Sequence, residues 1–324
     1  MQGILPVASG KGGVGKSVFC ANLGLALTRL GKTVVLVDLD LGGSNLHTCL
    51  GLKNRHPGLG SFIWKAEKSL SGLLVETGYE RLWLIPGDNL LPGTANLDWN
   101  SKRRIIKELA SLPADFVILD LGAGSSYNVV DFYLAAPQGL LVLAPEITSV
   151  LNAYSFLKTA AYRSLLSAFP GGSEERAAVL SYGASKTEGS GLSFLAFASS
   201  LAERFPESGG AAVARIASLA PRVVMNRGRD ASDAELGYRL RDITRKNLGF
   251  DVDFTGFLLE DPSVPRSVAS RCPLFASEPA SPFARGVAAV AGRIASGPET
   301  QALEPQASSP DDLGILAESA LSEG

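Results

Sequence analysis

One short segment constrains this chain more than any other. An apolar run, Gly3 to Ala8, passes directly into Gly10-Lys11-Gly12-Gly13-Val14-Gly15-Lys16-Ser17, and a helical pattern then runs from Ser17 to Leu30. The spacing G-x-x-x-x-G-K-S matters because successive backbone N–H groups can turn inward around a phosphate only where no Cβ obstructs them. Gly10, Gly12, Gly13 and Gly15 supply that freedom. Lys16 then reaches the β- and γ-phosphate oxygens as a point charge, and Ser17 offers a hydroxyl to Mg²⁺ at a helix start whose dipole favours anions. A surface glycine-rich loop is the bland alternative, and the strand before and helix after argue against it. The expected ligand is ATP with Mg²⁺.

The rest of the chain repeats the same alternation. Apolar runs at Thr33 to Val37, Leu82 to Ile85, Phe116 to Leu119, Gly139 to Ala144, Arg222 to Met225 and Phe254 to Leu258 read as strands buried on both faces. Helical stretches separate them, notably Ser101 to Leu112, Ser149 to Phe169, Ala234 to Leu248 and Phe283 to Ala295. Gly31 ends the first helix, and Pro113 stops another before the Phe116 strand. Strand and helix in turn imply crossover units, hence an α/β fold with a mainly parallel twisted sheet covered by helices on both faces. Ligands in such folds sit at the carboxyl ends of the strands.

Length and composition fit one large unit with two deviations. A hydrophobic content of 46% against 19% charged residues is ample for a buried core. Residues 1–295 form the expected nucleotide-binding domain. Within it, about 170–221 is long and rich in Ala, Ser and Gly; Leu192 to Phe205 is its best helix, and a helical insertion competes with a flexible loop. The segment 296–324 carries Pro298, Pro305, Pro310 and six acidic residues with no Lys or Arg, so it reads as a disordered acidic tail with room for a short helix near Leu313 to Leu321.

Charge and cysteine usage narrow the environment. A net charge of -2 gives no global field toward nucleic acid or anionic lipid. Cys20, Cys49 and Cys272 are scattered with no C-x-x-C pair, which argues against a disulfide framework, zinc or an iron–sulfur cluster. No run reaches the ~18 apolar residues of a spanning helix, and no signal peptide precedes the loop. A soluble, cytoplasmic protein is expected. His47 and His56 read as surface loop residues offering no catalytic centre.

Two acidic motifs accompany the loop. Asp38-Leu39-Asp40 ends the second strand, with Gly42-Gly43-Ser44-Asn45 behind it. An acid there can hold Mg²⁺ or orient an attacking water, although alone it is as often a turn residue. Phe116-Val117-Ile118-Leu119-Asp120 ends in another acid, followed by Leu121-Gly122-Ala123-Gly124. Such an acid can join the metal's shell, and the glycines let the next loop move when a γ-phosphate leaves.

Lys11 is not required by the general loop pattern, yet K-G-G-V-G-K-S resembles the deviant Walker A motif of the MinD/ParA family of P-loop ATPases. The two acidic motifs match that family's switch regions in order and spacing. The resemblance covers most of residues 1 to 295 and implies two subunits closing face to face over ATP, with Lys11 reaching the partner's nucleotide. It gives Lys16 a phosphate role, Ser17, Asp38 and Asp120 the metal side, and Asp40 the hydrolytic water, so that Lys11, Lys16 and Asp40 are the catalytic set. Gly10, Lys11, Gly12, Gly13, Val14, Gly15, Lys16, Ser17 and Val18 surround the nucleotide. Met225-Asn226-Arg227 is similar to the adenine-contacting segment, and Glu260-Asp261-Pro262 to a second base-side loop. Asp40 to Leu46, Leu121 to Gly124 and Pro145-Glu146-Ile147-Thr148-Ser149 look most like the MinD and FlhG branch, with Glu146, like Lys11, assigned to the dimer interface.

The implied function is a Mg-ATP-dependent dimerising ATPase, slow and stimulated by a protein effector. It would act as a spatial switch over flagellar number and placement or division-site positioning, recruited to a pole or the inner membrane face through a partner. The alternative is a ParA-like partitioning ATPase that coats DNA, for which Arg239, Arg241, Arg245 and Lys246, or Arg103, Arg104 and Lys107, are the candidate basic faces; a solvated charged surface is the plainer reading of both. A metal carrier lacks its cysteine pair. The family's basic membrane-docking helix has no counterpart in the acidic tail, which anionic lipid would repel, so direct membrane contact is not expected.

Overall fold

A computed structural model describes residues 3–41, 43–53, 55–87, 97–136, 138–185, 192–296 and 312–323. Gly42 of the second motif, residues 186–191 of the insertion, and 297–311 and 324 of the tail lie outside the described residues.

The apolar runs form one sheet of eight strands in the order β3-β4-β2-β5-β1-β6-β7-β8. The strands are β1 (Gly3–Ser9), β2 (Val34–Leu39), β3 (Val75–Glu76), β4 (Leu82–Ile85), β5 (Phe116–Ala123), β6 (Leu140–Leu143), β7 (Arg222–Gly228) and β8 (Asp253–Leu259). Every pairing is parallel except that of β3 with β4. The edge strand β3 was not among the expected strands; it is two residues long and carries no apolar run to announce it. β2 is buried along its whole length, as strands covered on both faces should be.

Helices cover both faces: α1 (Lys16–Arg29), α4 (Trp99–Leu109), α5 (Tyr127–Tyr133), α6 (Ile147–Ser167), α10 (Ala234–Leu248) and α13 (Pro282–Ala295), with the short α2 (Leu46–Cys49), α3 (Leu59–Ile63), α11 (Ser263–Ala269) and α12 (Leu274–Ser277) between them. One hydrophobic cluster packs Phe19, Leu23 and Leu27 of α1 with Val287 and Val290 of α13 against one face of the sheet. The other packs Phe156, Leu157 and Leu165 of α6 with Leu240 of α10 against the opposite face. Among the described residues, no helix is long and apolar enough to cross a membrane.

The insertion is helical, as α7 (Glu174–Ala184), α8 (Phe194–Arg204) and α9 (Ser208–Ala217). Ser173 and Ser193 start the first two by accepting from the amides of Arg176 and Ala196, each at 3.2 Å. Val179, Phe194, Leu201 and Ile216 anchor these helices in the core.

The short helix for which the tail left room near Leu313 to Leu321 is present as α14 (Asp312–Glu323), seated against β8 and α10. Leu313 and Ala317 are fully buried, and a Cβ at Gly237 of α10 would lie only 2.2 Å from Leu313 Cδ2. Three small or apolar residues at i, i+3 and i+4 spacing, Leu313, Leu316 and Ala317, give even an acidic segment a stripe to bury. Docking of α14 also changes the meaning of a basic cluster. Arg241 is buried, forms an ion pair with Asp312 and lies 3.5 Å from Asp251, so Arg239, Arg241, Arg245 and Lys246 do not make one solvated face.

Candidate nucleotide-binding site

The loop from Gly10 to Gly15 joins the carboxyl end of β1 to the first residue of α1. Gly13 and Gly15 have φ of 82° and 89°, in the left-handed region where a side chain is strained. Gly10 is also required by packing. A Cβ there would fall 2.3 Å from the carbonyl carbon of Asn152 and 2.6 Å from the amide of Ala153, so its bareness admits the backbone of α6. Gly12 is under no such pressure, its nearest neighbour being Ala123 Cβ at 3.8 Å.

Lys16 points into the protein. Its Nζ is 2.5 Å from Asp120 Oδ1, with side chains 8% and 1% exposed. Burial pulls the ammonium's pKa down, but the Asp120 charge and hydrogen bond, with Asp40 behind them, raise it above its ordinary value. The Cys20 thiol, pushed well up by burial and by Asp120, stays protonated and lies 3.6 Å from the same carboxylate oxygen. Ser17 is half-buried in the first turn of α1, beside the buried Val14 and the half-buried Val18.

Asp38 and Asp120 face one another across the β2–β5 ladder. Asp120 does not cap its strand; β5 continues to Ala123, with Leu121 opposite Leu39 of β2 and Ala123 opposite Ser9 of β1. Asp38 accepts from Ser44 Oγ at 2.6 Å and from the amides of Leu46 and Asp40 at 3.1 Å each. Burial, then the Asp120 charge, raise its pKa to about 7 against those hydrogen bonds. Asp40 is half-buried, with Oδ1 3.4 Å from where a Cβ on Gly122 would stand. A cavity of about 160 Å³ adjoins it, lined also by Leu121, Ala123, Ser126 and Asn128.

On the base side, Asn226 donates to the Val14 carbonyl at 2.8 Å, and a Cβ at Gly15 would meet its Nδ2 at 2.5 Å. Arg227 holds a φ of 64°, seldom seen outside glycine, and pairs with Glu260 at 3.1 Å. Asp261 acts as a brace, its oxygens accepting from the amides of Ser263 at 2.8 Å and Phe283 at 3.3 Å. Lys11 lies apart from the buried pair, its Nζ 2.8 Å from Glu146 Oε2 and 3.3 Å from Thr148 Oγ1 at the start of α6. That hydrogen bond and its charge hold the Glu146 carboxyl below the ordinary carboxylate range.

Sequence reasoning passed over Ser44, Gly87 and Cys20. Ser44 lies in the glycine-rich return after β2, the signal that it could fold back onto Asp38. Gly87 is needed because a Cβ there would meet both the Asp38 carbonyl and Ser44 Oγ at 2.9 Å. His47 is also corrected: it belongs to α2, with Nδ1 buried and its pKa lowered by burial and then by Arg271, and is no surface loop residue.

The residues present fit a hydrated divalent cation beside a phosphate. Asp120 Oδ2 is buried with no hydrogen-bond partner, and so is Ser9 Oγ at the end of β1. Buried polar atoms left this way cost ~1–3 kcal/mol each unless something satisfies them.

A parallel sheet that delivers a glycine-rich loop onto a helix N-terminus, with acids from the adjoining strands beside its lysine, defines a P-loop nucleotide-binding protein. The particular lineage follows from the chain's relatives. It belongs to the CobQ/CobB/MinD/ParA nucleotide binding domain family, whose model matches residues 5–274. It is 35% identical over 158 residues to the septum site-determining protein MinD of Synechocystis sp., covering 47% of this chain and 57% of that one. It is 33% identical over 157 residues to the antiactivator FleN of Pseudomonas aeruginosa, covering 48% and 55%. The chain thus spans about half the length of the curated relatives it matches. In fold it is similar to the septum site-determining protein MinD complexed with Mg-ADP from Pyrococcus horikoshii OT3, with a TM-score of 0.60 at 19% identity over 94% of this chain and 100% of that one.

Proposed function

We propose that this chain is a Mg-ATP-dependent ATPase that closes as a homodimer and acts as a spatial-regulation switch of the MinD and FleN kind, handing its state to a protein effector. The observation that carries this reading is the position of Lys11. Where Lys16 is buried on Asp120, Lys11 is 42% exposed and held outward on Glu146, beside Ile147 and Leu151, which are 63% and 57% exposed one turn apart on α6. A cation and two apolar side chains displayed together beside a phosphate loop suit a surface that a second copy covers when nucleotide is present.

In this reading the backbone of Gly12 to Lys16 cradles the phosphates, and Lys16 leaves Asp120 for the β- and γ-oxygens. Ser17, Asp38 and Asp120 hold Mg²⁺, which when bound supplies charge neutralisation to the phosphates. Asp40 accepts a hydrogen bond from the attacking water, the adjoining cavity giving that water room. Asn226 and Arg227 border the base. The ParA-like alternative gains nothing from α10, since burial of Arg241 breaks up the basic face it would use.

The test is light scattering of the purified chain with Mg-ATP. Asp40→Ala, which retains ATP, is expected to accumulate as a dimer, and adding Lys11→Ala to return it to monomer while nucleotide stays bound. A monomer in both cases would sink the reading.

A further inference from the structure

Asp120 receives two hydrogen bonds on one of its oxygens, and both come from α1. Lys16 Nζ and Cys20 Sγ lie 2.5 and 3.6 Å from Oδ1. The two donors stand four residues apart, hence on the same face of the helix and one turn from each other. The carboxylate is 1% exposed, and Cys20 is fully buried.

The surroundings offer the carboxylate no third donor among the described residues. β1 and β2 flank it, setting Val7 on one side and Asp38 on the other. The Asp38 carboxylate is itself taken up by Ser44 and the amides of Leu46 and Asp40. Ser9 Oγ and Asp120 Oδ2 are each without a hydrogen-bond partner, so Ser9 does not hold the carboxylate either.

In the function proposed above, Lys16 has to leave this oxygen to reach the phosphates. A buried carboxylate whose cation has gone is left with its charge uncompensated, and that cost weighs directly against ATP. The thiol is placed to lessen it. Cys20 already shares Oδ1, its place is fixed by the helix backbone, and it does not travel with the lysine side chain. A thiol also suits the apolar cluster around it, which includes Phe19, Leu23, Leu36 and Ile118, because it packs as a small hydrophobe while keeping one weak donor.

We propose that Cys20 is a positioning residue for nucleotide binding, its thiol taking over the Asp120 oxygen that Lys16 gives up to the phosphate. Only hydrogen bonds are exchanged, and the thiol keeps its proton. While Lys16 is in place the thiol stays at long range; once the lysine departs, the carboxylate closes on it and remains pinned to α1. This role rests on the phosphate assignment of Lys16.

The test measures binding of a fluorescent ATP analogue to the full chain in EDTA and in Mg²⁺. Cys20→Ala, checked for a native melt, should weaken binding in EDTA about tenfold, the scale of a hydrogen bond to a charged group. Cys20→Val fills the space without a donor and should behave the same way, whereas Cys20→Ser restores a donor and should recover most of the affinity. Mg²⁺ should shrink the deficit to about threefold or less, since a cation beside Asp120 takes up its charge. A purely structural defect would lower affinity equally in both conditions. Cys20→Ala equal to wild type, Cys20→Ser no better than Cys20→Ala, or a deficit undiminished by Mg²⁺ overturns the proposal, as does wild-type binding that needs Mg²⁺ outright. Wild type that binds no analogue in either condition sinks the phosphate site itself, whereas wild-type binding that Cys20→Ala leaves unchanged sinks the role of Cys20 alone.

Discussion

Lys16 Nζ and Asp120 Oδ1 lie 2.5 Å apart in the interior, on the two elements that meet beneath the phosphate loop. The pair satisfies the buried ammonium and one oxygen of the buried carboxylate, while Asp120 Oδ2 is left without a hydrogen-bond partner. Removing one partner of a buried pair typically costs ~3–5 kcal/mol, because the remaining charge is left uncompensated. Lys16→Met should therefore lower the urea midpoint of the metal-free chain as well as abolish binding of a fluorescent ATP analogue. ATP affinity retained by Lys16→Met would remove the phosphate assignment.

Asp38 makes a pH prediction with a definite sign. Its pKa in the folded chain is raised to about 7 by burial and the Asp120 charge, so the folded state holds this proton more tightly than the unfolded state does. That contribution is fully present below the ordinary carboxylate pKa near ~4 and is lost as pH rises through about 7. In chelator, the wild-type chain should lose stability relative to Asp38→Asn by up to ~1.4 kcal/mol per pH unit across that window. Asp131 and Glu146, whose pKa values are lowered, contribute stability that is lost as pH falls below the ordinary carboxylate range, and the difference between the two proteins cancels it. A difference that is flat from pH 4 to 7 would count against the buried, proton-holding Asp38.

Two glycines of one motif should respond differently to the same substitution. Gly10→Ala places a methyl against the backbone of Asn152 and Ala153, which cannot move without shifting α6. Gly12→Ala meets only ordinary contact distance. Circular dichroism melts should show marked destabilisation for Gly10→Ala and a near-native midpoint for Gly12→Ala. Equal midpoints would show that α6 does not depend on the loop's first glycine.

The α14 helix should protect β8 and α10 through Leu313. Leu313→Ala removes a fully buried side chain, a change worth ~2–5 kcal/mol where the cavity stays open. The loss should appear in hydrogen exchange as faster exchange of the amides of Asp312–Glu323, β8 and α10, with β1 and β5 unchanged. Gly237→Ala should do the same from the receiving side, since its methyl contests the space of Leu313. Uniform acceleration across the sheet would mean that α14 belongs to the global unfolding unit instead.

How much of this was legible beforehand depended on whether a residue's task is local. Glycine spacing, the apolar runs and the acids that follow them are read within a few positions, and they located the phosphate loop, the acids beside it and the parallel sheet. The helices of the insertion were only half legible, because their starts are capped by Ser173 and Ser193 but their faces are small and weakly patterned. Gly87 and Cys20 went unseen because each matters through a distant partner brought close by the sheet, whereas Ser44, six residues from Asp38, had a local signal in its glycine-rich return.

The sequence by itself determined that a phosphate loop would stand at a strand end, since backbone freedom and a lysine at fixed spacing suffice for that. Tertiary structure alone decided that the loop's first glycine admits the backbone of α6, that Lys16 rests on Asp120 while Lys11 faces outward on Glu146, and that Arg241 turns inward to Asp312. Those outcomes depend on distances between segments more than a hundred residues apart for Lys16 and Lys11. Close packing and the cost of unpaired buried charge act only once the chain has brought such segments together.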